Sequence, residues 1–258
     1  MRILRAVSGI VLGLGLAGGA VSGCAPSKPG LSEPEVLVAP YQTGGARVLW
    51  AVAPLRNESG TSAADSMMVS DALAARAAEI RGVSCLPVNR TVAAMRTLRM
   101  PSVSSPADAR RLAQALGCDG ILVGTITAYD PYDPPTLGLT VGLYGRDGSA
   151  IAPAGPGLDV RELRTSGAET RPASAGWSEQ PLSVAAEHLD AKNHEVLMQL
   201  RRYAEGRHDP TGPMGWRKYT ASMDLYAEFA AFWTLHRLLD QERLRLARTG
   251  APDKPTAR

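Results

Sequence analysis

Apolar runs and amphipathic segments alternate along the chain from residue 47 onward. The run from Val48 to Leu55 is continuously apolar, which is typical of a strand buried on both faces of a sheet. An amphipathic helix and a second strand at Val83 to Val88 follow it. Two more helices then lead to a strongly apolar strand at 121–129. Because strands alternate with helices, we predict a mainly parallel sheet with helices packed on it.

Polar residues and glycines mark the ends of the predicted helices. Ser62 followed by Asp65 resembles a capping signal for the first helix. Asn89 is the predicted cap of the second helix, and Ser105, followed by proline, opens the third. The apolar stripes are Val69, Leu73, Ala77 and Ile80 in the first helix, Val92, Met95 and Leu98 in the second, and Ala109, Leu112, Ala113 and Leu116 in the third.

The apolar period changes after the strand at 121–129. Leucine and valine alternate with glycine and threonine over residues 137–143, the period of a strand with one buried face. Because this strand follows the proline-rich loop 130–135, we predict that it returns antiparallel beside strand 121–129. Residues 182–186 are predicted to add the last strand.

The C-terminal part of the chain is predicted to be helical. Asp190 or Asn193 caps a helix that ends at Gly206, and a turn-rich link leads to the last helix. The apolar stripe of that helix consists of Leu225, Tyr226, Phe229, Phe232, Trp233 and Leu239. Such a stripe is either part of the core or an exposed face that binds a partner.

Composition divides the chain into regions. We predict a signal peptide at 1–23, a flexible tether at 24–45, an α/β body at 46–206, a C-terminal linker and amphipathic helix at 207–248, and a disordered tail at 249–258. The body contains a low-complexity insertion at 150–180 with one candidate strand at 158–163. The predicted fold class is therefore α/β, with a mixed sheet in two or three layers, helices packed on it, and a C-terminal helical extension.

The first 24 residues have the layout of a secretory signal. Arg2 and Arg5 precede a short apolar segment, and small residues follow it up to Cys24. The apolar segment is shorter than the ~20 residues that a spanning helix needs. The Val-Ser-Gly-Cys ending at 21–24 resembles the lipobox of bacterial lipoproteins, which implies cleavage before Cys24 and acylation of that cysteine. The alternative is an ordinary secreted protein with a chance cysteine at this position.

Charge and cysteine content narrow the class of protein. Loss of the signal peptide removes two arginines and no acids, so the formal charge falls from +3 to +1. A near-neutral chain has no global attraction to nucleic acid, and we exclude nucleic-acid binding on that ground. Besides Cys24, the cysteines are Cys85 and Cys118, which either pair in an oxidising compartment or remain small buried residues.

Sequence motifs of enzymes are missing from the mature chain. The Gly-x-Gly-x-x-Gly pattern at 13–18 lies in the leader and follows no strand, so it does not indicate a dinucleotide site. The four histidines show no metal-ligand spacing, and there is no phosphate loop or nucleophile elbow. We therefore predict no cofactor, metal site or catalytic residue. The alternative is an envelope enzyme with a site assembled from His188, Asp190 and His194 together with the loop at Asp130.

The proline-rich loop after the apolar strand at 121–129 is the predicted partner contact. Tyr129 and Tyr132, with Asp133, form a rigid aromatic loop at a sheet edge, which suits protein binding. Plain packing of the loop is the alternative. The loop has too few oxygen ligands for calcium.

Three segments resemble a known family: residues 53–60 (APLRNESG), the strand end at 89–90, and residues 113–126 (AQALGCDGILVGTI). They look like the periplasmic domain of CsgG-type and LpoB-type lipoproteins, over roughly residues 47–145. The resemblance implies an anticodon-binding-domain-like fold and a non-catalytic role in binding an unidentified envelope protein, in peptidoglycan synthesis, export or assembly.

The resemblance has two further implications. A secretion pore needs hairpins with long alternating apolar segments, and residues 145–180 have no such pattern, so we do not expect a pore. Ala25 stands where many lipoproteins retained at the inner membrane have aspartate, which implies the periplasmic face of the outer membrane. The acyl chains on Cys24 would be the membrane contact, and the oligomeric state stays open.

Overall fold

The structure, a computed structural model, describes residues 32–41, 46–145, 177–209 and 212–249. The predicted signal peptide, Cys24, the candidate strand at 158–163 and most of the predicted insertion and tail lie outside the described residues.

Six strands and six helices make up the described part of the chain. The strands are β1 (Val48–Val52), β2 (Arg56–Asn57), β3 (Val83–Cys85), β4 (Gly120–Asp130), β5 (Thr136–Gly145) and β6 (Ser183–Asp190). The helices are α1 (Ser66–Ala78), α2 (Val88–Thr97), α3 (Pro106–Leu116), α4 (His194–Ala204), α5 (Lys218–Ala221) and α6 (Met223–Thr249), with a 3-10 turn at Gly215–Arg217. None of these described helices is long and apolar enough to cross a membrane.

The strands form one mixed sheet in the order β3-β1-β4-β5-β6. β1 lies parallel to β3 and β4, and the short β2 extends the parallel pairing along β4. β5 then runs antiparallel to β4, and β6 runs antiparallel to β5. The predicted α/β class, the antiparallel return and the last strand are confirmed. Arg56 and Asn57, which follow the apolar run, pair with β4 at Thr125 and Ile126.

Helices cover both faces of the parallel half of the sheet. Trp50 and Val52 of β1 belong to a large apolar cluster with α1, α4 and α6, whereas Ala51 and Ala53 belong to a second cluster with α2 and α3. Successive side chains of a strand point to opposite faces, so the continuous apolar run of β1 fills two cores. This part of the fold therefore has three layers.

The last helix is a central part of the larger core. Tyr226, Phe229 and Leu239 are fully buried, and the helix packs against α1, β5 and β6. The Tyr226 hydroxyl donates a 3.0 Å hydrogen bond to the carbonyl of Leu189, which ties α6 to β6. Most of the apolar stripe is thus a core face, whereas Leu225 and Trp233 are half-buried. The C-terminal helix is an extension of the chain that shares its core with the sheet.

Two predicted helix caps are wrong. The cap of α1 is Asp65 rather than Ser62, and its carboxylate accepts bonds from the backbone N–H groups of Met67 and Met68. α2 begins at Val88, after Pro87, so Asn89 already lies inside its first turn. Because the helix starts this early, the predicted strand at Val83 to Val88 ends at Cys85.

The other two caps agree with the sequence. Ser105 and Asp108 form a reciprocal capping box at α3, since each side chain accepts a bond from the backbone N–H of the other residue. At α4 the cap is Asn193, which accepts from Glu195 N. Asp190, the alternative cap, instead accepts from the backbone of Lys192.

The segment 32–41, predicted as part of the flexible tether, packs on the body. Leu37 is buried, Ala39 N donates to Arg81 O at 3.0 Å, and Arg81 N donates to Leu37 O at 2.9 Å. The ring of Tyr41 lies edge-on to Trp50, 6.3 Å between centroids. The tether prediction is corrected for these ten residues, because glycine and proline content did not reveal their apolar contacts.

Cys85 and Cys118 are thiols and are not joined by a disulfide. Cys118 is fully buried, and its Sγ lies 3.6 Å from the carbonyl of Ala113 at the end of α3. Cys85 is half-buried at the end of β3, and burial raises the pKa of its thiol to about 12.

Candidate binding surfaces

The loop between β4 and β5 presents one aromatic side chain to solvent. Tyr132 is 80% exposed, and its backbone N–H donates to the Asp130 carboxylate at 3.2 Å. The far side of the loop is held by Ala191 N, which donates to the Pro135 carbonyl at 2.9 Å. The ring of Tyr132 therefore projects from a loop that is fixed at both ends.

The other two predicted contact residues differ from Tyr132. Asp133 is exposed beside it, whereas Tyr129 is half-buried and packs against the larger core cluster. The pKa of Tyr129 is raised, first by burial and then by the nearby carboxylates of Asp224 and Asp65. Tyr129 thus joins the loop to the core, and the exposed part of the predicted contact is Tyr132 with Asp133.

The dispersed polar residues of the alternative enzyme site lie at the surface. Asp130 of β4 and Asp190 of β6 both pair with Thr136 of β5, which lies between these two strands, so they meet at one end of the sheet. His188 and His194 are exposed on β6 and at the start of α4. Across the described residues, no group of three or more histidines, cysteines or acidic residues could hold a metal ion.

A second surface lies between α4, the 3-10 turn and α6. It is an open groove of about 910 Å³, here called the tryptophan groove. Its main lining residues are Met198, Arg201, Arg202, Glu205, Trp216 and Trp233. The groove combines tryptophan, methionine and arginine, the residue types enriched where proteins bind other surfaces.

Both groove tryptophans are held by neighbouring cationic or aromatic groups. The guanidinium carbon of Arg201 lies 4.8 Å from the centroid of the Trp216 ring, and that of Arg217 lies 5.3 Å from it. Trp233 stacks on His236, with 5.2 Å between centroids and planes 6° apart. These contacts pre-orient two rings that are each only half-buried.

An aromatic cluster at the end of α4 contains Arg207. Its guanidinium carbon lies 4.4 Å from the Tyr203 ring centroid and 4.9 Å from that of Phe232. Burial is the main cause that raises the pKa of Tyr203 to about 12. Arg207 also donates to the carbonyl oxygens of Tyr203, at 2.9 Å, and Glu35, at 2.5 Å. Arg207 thus ties the end of α4 to the N-terminal segment.

The N-terminal segment runs along the rim of the tryptophan groove. Glu35 forms an ion pair with Arg202, which lines the groove. Gly206 has a φ of +76°, and a Cβ at that position would lie 2.5 Å from both Pro34 N and Ser32 O. Glycine is therefore required here both for its backbone conformation and for the close approach of the segment.

A smaller groove of about 520 Å³ lies between the start of β6 and the end of α6. Arg245 lines it, and its guanidinium donates to both carboxylate oxygens of the fully buried Glu242, at 2.8 and 2.7 Å. Tyr41 is half-buried with its hydroxyl inside the protein, and its pKa is raised well above its usual range, first by burial and then by the charge of Glu242. This cluster joins the end of α6 to the N-terminal segment.

Sequence reasoning missed the tryptophan groove. In the sequence, Trp216 lies in the turn-rich link, and Trp233 has the spacing of the apolar stripe of the last helix. The groove brings together α4, the link and α6, which are separated along the chain. The only local signal is a tryptophan beside Arg217 and Lys218 in a glycine-rich turn.

Comparison with known proteins finds no matching family model and no curated protein. Among solved structures, the chain is similar to the C-terminal domain of LpoB from Salmonella enterica, with 16% identity and a TM-score of 0.33 over 40% of this chain and 77% of that one. It is also similar to lipoprotein GNA1162 from Neisseria meningitidis, with 17% identity and a TM-score of 0.36 over 59% and 90%.

A third similar structure is the hypothetical protein CT253 from Chlamydia trachomatis. Its identity is 13% and its TM-score 0.34, over 78% of this chain and 96% of that one. Such low identities and TM-scores leave the function to be argued from the residues of this chain.

Proposed function

We propose that this protein is a non-catalytic, lipid-anchored lipoprotein of the bacterial cell envelope that binds another envelope protein through the loop around Tyr132. The proposed site of attachment is the periplasmic face of the outer membrane. The partner belongs to peptidoglycan synthesis, export or envelope assembly, as the family resemblance of residues 53–60 and 113–126 implies.

The exposed ring of Tyr132 is the observation that carries the binding role. A tyrosine that is 80% exposed gains nothing from burial in the free protein, although its large apolar surface would be stabilised by a partner. The hydrogen bonds at Asp130 and Pro135 hold the loop in place, so binding would order few additional groups. Exposed aromatic side chains on fixed loops are typical centres of protein interfaces.

The lipid anchor is supported by the leader sequence. Positive residues, a short apolar segment and small residues before Cys24 match a lipoprotein signal. One acyl chain gives only marginal attachment, whereas two or more anchor a protein stably. Acylation of both the thiol and the new amino terminus of Cys24 would therefore hold the body at a membrane surface.

Site-specific crosslinking in living cells tests the binding role. A photoreactive amino acid at position 132 should form a reproducible crosslink to one envelope protein, and the purified pair should lose affinity when the protein carries Tyr132→Ala. The matched control is Leu244, which is 49% exposed on α6, far along the sequence from the loop. A crosslinker at 244 should not capture the same protein, and Leu244→Ala should leave the affinity unchanged.

Two results would contradict the proposal. If Tyr132→Ala binds the crosslinked protein as tightly as the natural chain, the loop is not the contact. If mass spectrometry of native protein finds Cys24 unmodified and the leader uncleaved, the protein is not a lipoprotein.

A further inference from the structure

The tryptophan groove lies where the chain arrives from the proposed lipid anchor. Ser32 packs against Gly206, and Glu35 pairs with Arg202 on the groove lining. Seven residues separate Cys24 from Ser32, and the eight steps between their Cα atoms span at most about 29 Å. An acylated Cys24 would therefore hold the rim of the groove close to the lipid surface.

The side chains of the groove suit the boundary between lipid and water. Tryptophan, with an apolar ring and a polar N–H, is enriched at that level of a membrane, and arginine extends its charge toward the headgroups. The two residue types are in contact here, since the guanidinium carbon of Arg201 lies 4.8 Å from the centroid of the Trp216 ring. Met198 and Met214 are 49% and 50% exposed beside it. Exposed and half-buried methionine and tryptophan side chains grouped in this way mark a surface that contacts another surface.

The charges of the groove bear on whether it would bind anionic lipid headgroups. Arg201 and Arg202 line it together with Glu195 and Glu205, and Arg202 is already paired with Glu35. The two signs nearly balance, so strong attraction to anionic lipid is not expected. Contact would instead be made by the aromatic and methionine side chains.

Attachment by the anchor lowers the affinity that such a contact needs. A site held by a short linker experiences an effective concentration in the roughly millimolar range, so even weak docking would be occupied most of the time. An unanchored protein with the same groove would bind lipid poorly.

We infer that the tryptophan groove docks on the membrane surface to which Cys24 is anchored, with Trp216 and Trp233 entering the interfacial layer of the lipid. The inference rests on the lipid anchor of the proposed function. It gives the body a fixed orientation and is independent of the Tyr132 contact.

Quenching of tryptophan fluorescence by brominated lipid tests this docking. The full acylated chain is reconstituted in phosphatidylcholine vesicles whose acyl chains carry bromine. The chain has four tryptophans, of which Trp50 and Trp177 are 0% and 6% exposed and provide an unquenched background. We expect bromine to quench the emission, and we expect the quenching to be lost when Trp216 and Trp233 are both replaced by phenylalanine. Added anionic lipid or salt should change it little.

A second variant keeps both tryptophans. Met198→Glu places a charge on an exposed helical position of the groove, and it should reduce the quenching of Trp216 while the fold, checked by circular dichroism, is kept. Acrylamide, a quencher dissolved in the water, gives a complementary measurement. Docking on the membrane should protect Trp216 and Trp233 from it.

Several results would overturn the inference. Acylated protein whose tryptophans are not quenched by brominated lipid would overturn the docking and leave the lipoprotein proposal intact. Quenching that persists in the double phenylalanine variant would assign the contact to another surface. Protection of Trp216 by a purified envelope protein, but not by vesicles, would make the groove a protein-binding site. An unmodified Cys24 would overturn both proposals together.

Discussion

Arg202 of α4 and Glu35 of the N-terminal segment form an ion pair of 3.0 Å across 167 residues of chain. The guanidinium of Arg202 is 67% exposed, so the pair by itself contributes at most about 1 kcal/mol. The segment is fixed more firmly by its backbone, since Arg207 donates to the carbonyl of Glu35 and Arg81 exchanges two bonds with residues 37 and 39. The segment is therefore part of the folded body.

The fit of this segment against Gly206 leads to the first prediction. Gly206→Ala should destabilise the protein by more than the ~1 kcal/mol expected for alanine in the left-handed region, because its Cβ would collide with Ser32 and Pro34. Gly60→Ala is the matched control, since Gly60 has a similar φ of +79° and no atom within 4 Å of the added Cβ. Urea unfolding of the two variants measures the difference.

Limited proteolysis reports on the N-terminal segment separately from the unfolding of the whole protein. A protease specific for glutamate should cleave after Glu33 and Glu35 faster in Gly206→Ala than in Gly60→Ala, because the collision displaces the segment. Equal unfolding energies and equal cleavage rates in the two variants would show that the segment does not depend on Gly206.

Most of the architecture could be predicted from the sequence, because each element has a strong local signal. The continuous apolar run of β1 indicates burial on two faces of the sheet. The pair Ser105 and Asp108 predicts the start of α3. Errors occurred where two local signals compete. At Pro87 and Asn89 both residues suit a helix start, and the rigid φ of proline, rather than the side chain of asparagine, sets the first turn.

The sequence suggested a candidate binding surface only where its residues are neighbours along the chain. The Tyr132 loop is one continuous segment with an obvious aromatic residue. The tryptophan groove is made by α4, the 3-10 turn and α6, and Trp233 has the same helical spacing as the buried Phe229. Whether such a residue lies in the core or on a groove depends on the packing of distant elements, which periodicity does not contain.

The second prediction concerns the capping box of α3. Ser105→Ala should cost about 1 kcal/mol of unfolding free energy, because the backbone N–H of Asp108 loses its acceptor. The pKa of Asp108 lies below its usual value of 3.8, chiefly because of the hydrogen bond with the Ser105 side chain. The stability that Asp108 contributes is therefore present above that usual value and is lost as the pH falls through the lowered pKa.

The free energy of unfolding, measured at a series of acid pH values, tests the direction of this pH dependence. The natural protein should lose stability on acidification partly through Asp108, and Asp108→Asn should remove that part of the pH dependence. If Asp108→Asn loses stability at low pH as much as the natural protein does, Asp108 does not contribute to this pH dependence. The exposed hydroxyl of Ser104 also donates to Asp108, so Ser104→Ala is a control that should have a smaller effect than Ser105→Ala.

The third prediction is a loss of stability at alkaline pH. Burial raises the pKa of Cys85 from 9.0 to about 12, and it is the first cause that raises that of Tyr203 from 10.0 to about 12. Both groups ionise more easily in the unfolded chain. Their contribution to the free energy of unfolding is therefore complete below pH 9 and is lost as the pH rises toward 12. Urea midpoints across this range should fall steadily.

Substitution of Cys85 measures how much of the alkaline loss of stability is due to its thiol. Cys85→Ala removes the thiol, so the decline between pH 9 and pH 10 should be weaker in that variant, because Tyr203 has an ordinary pKa of 10.0 and acts later. A midpoint that stays constant through this range in the natural protein would contradict the raised pKa of the thiol.

The last prediction compares a buried ion pair with an exposed one on the same helix. Glu242 is fully buried and accepts two bonds from Arg245, which is 18% exposed, whereas Asp240 and Arg243 are 39% and 45% exposed. Glu242→Ala should cost about 3 kcal/mol, because the largely buried guanidinium loses both carboxylate bonds. Asp240→Ala should cost less than about 1 kcal/mol. Joint replacement of Glu242 and Arg245 by methionine and leucine should recover most of the loss, because no charge then remains desolvated. Urea unfolding of the three variants and the natural protein measures these differences. Similar costs for Glu242→Ala and Asp240→Ala would show that water reaches the inner pair as readily as the outer one.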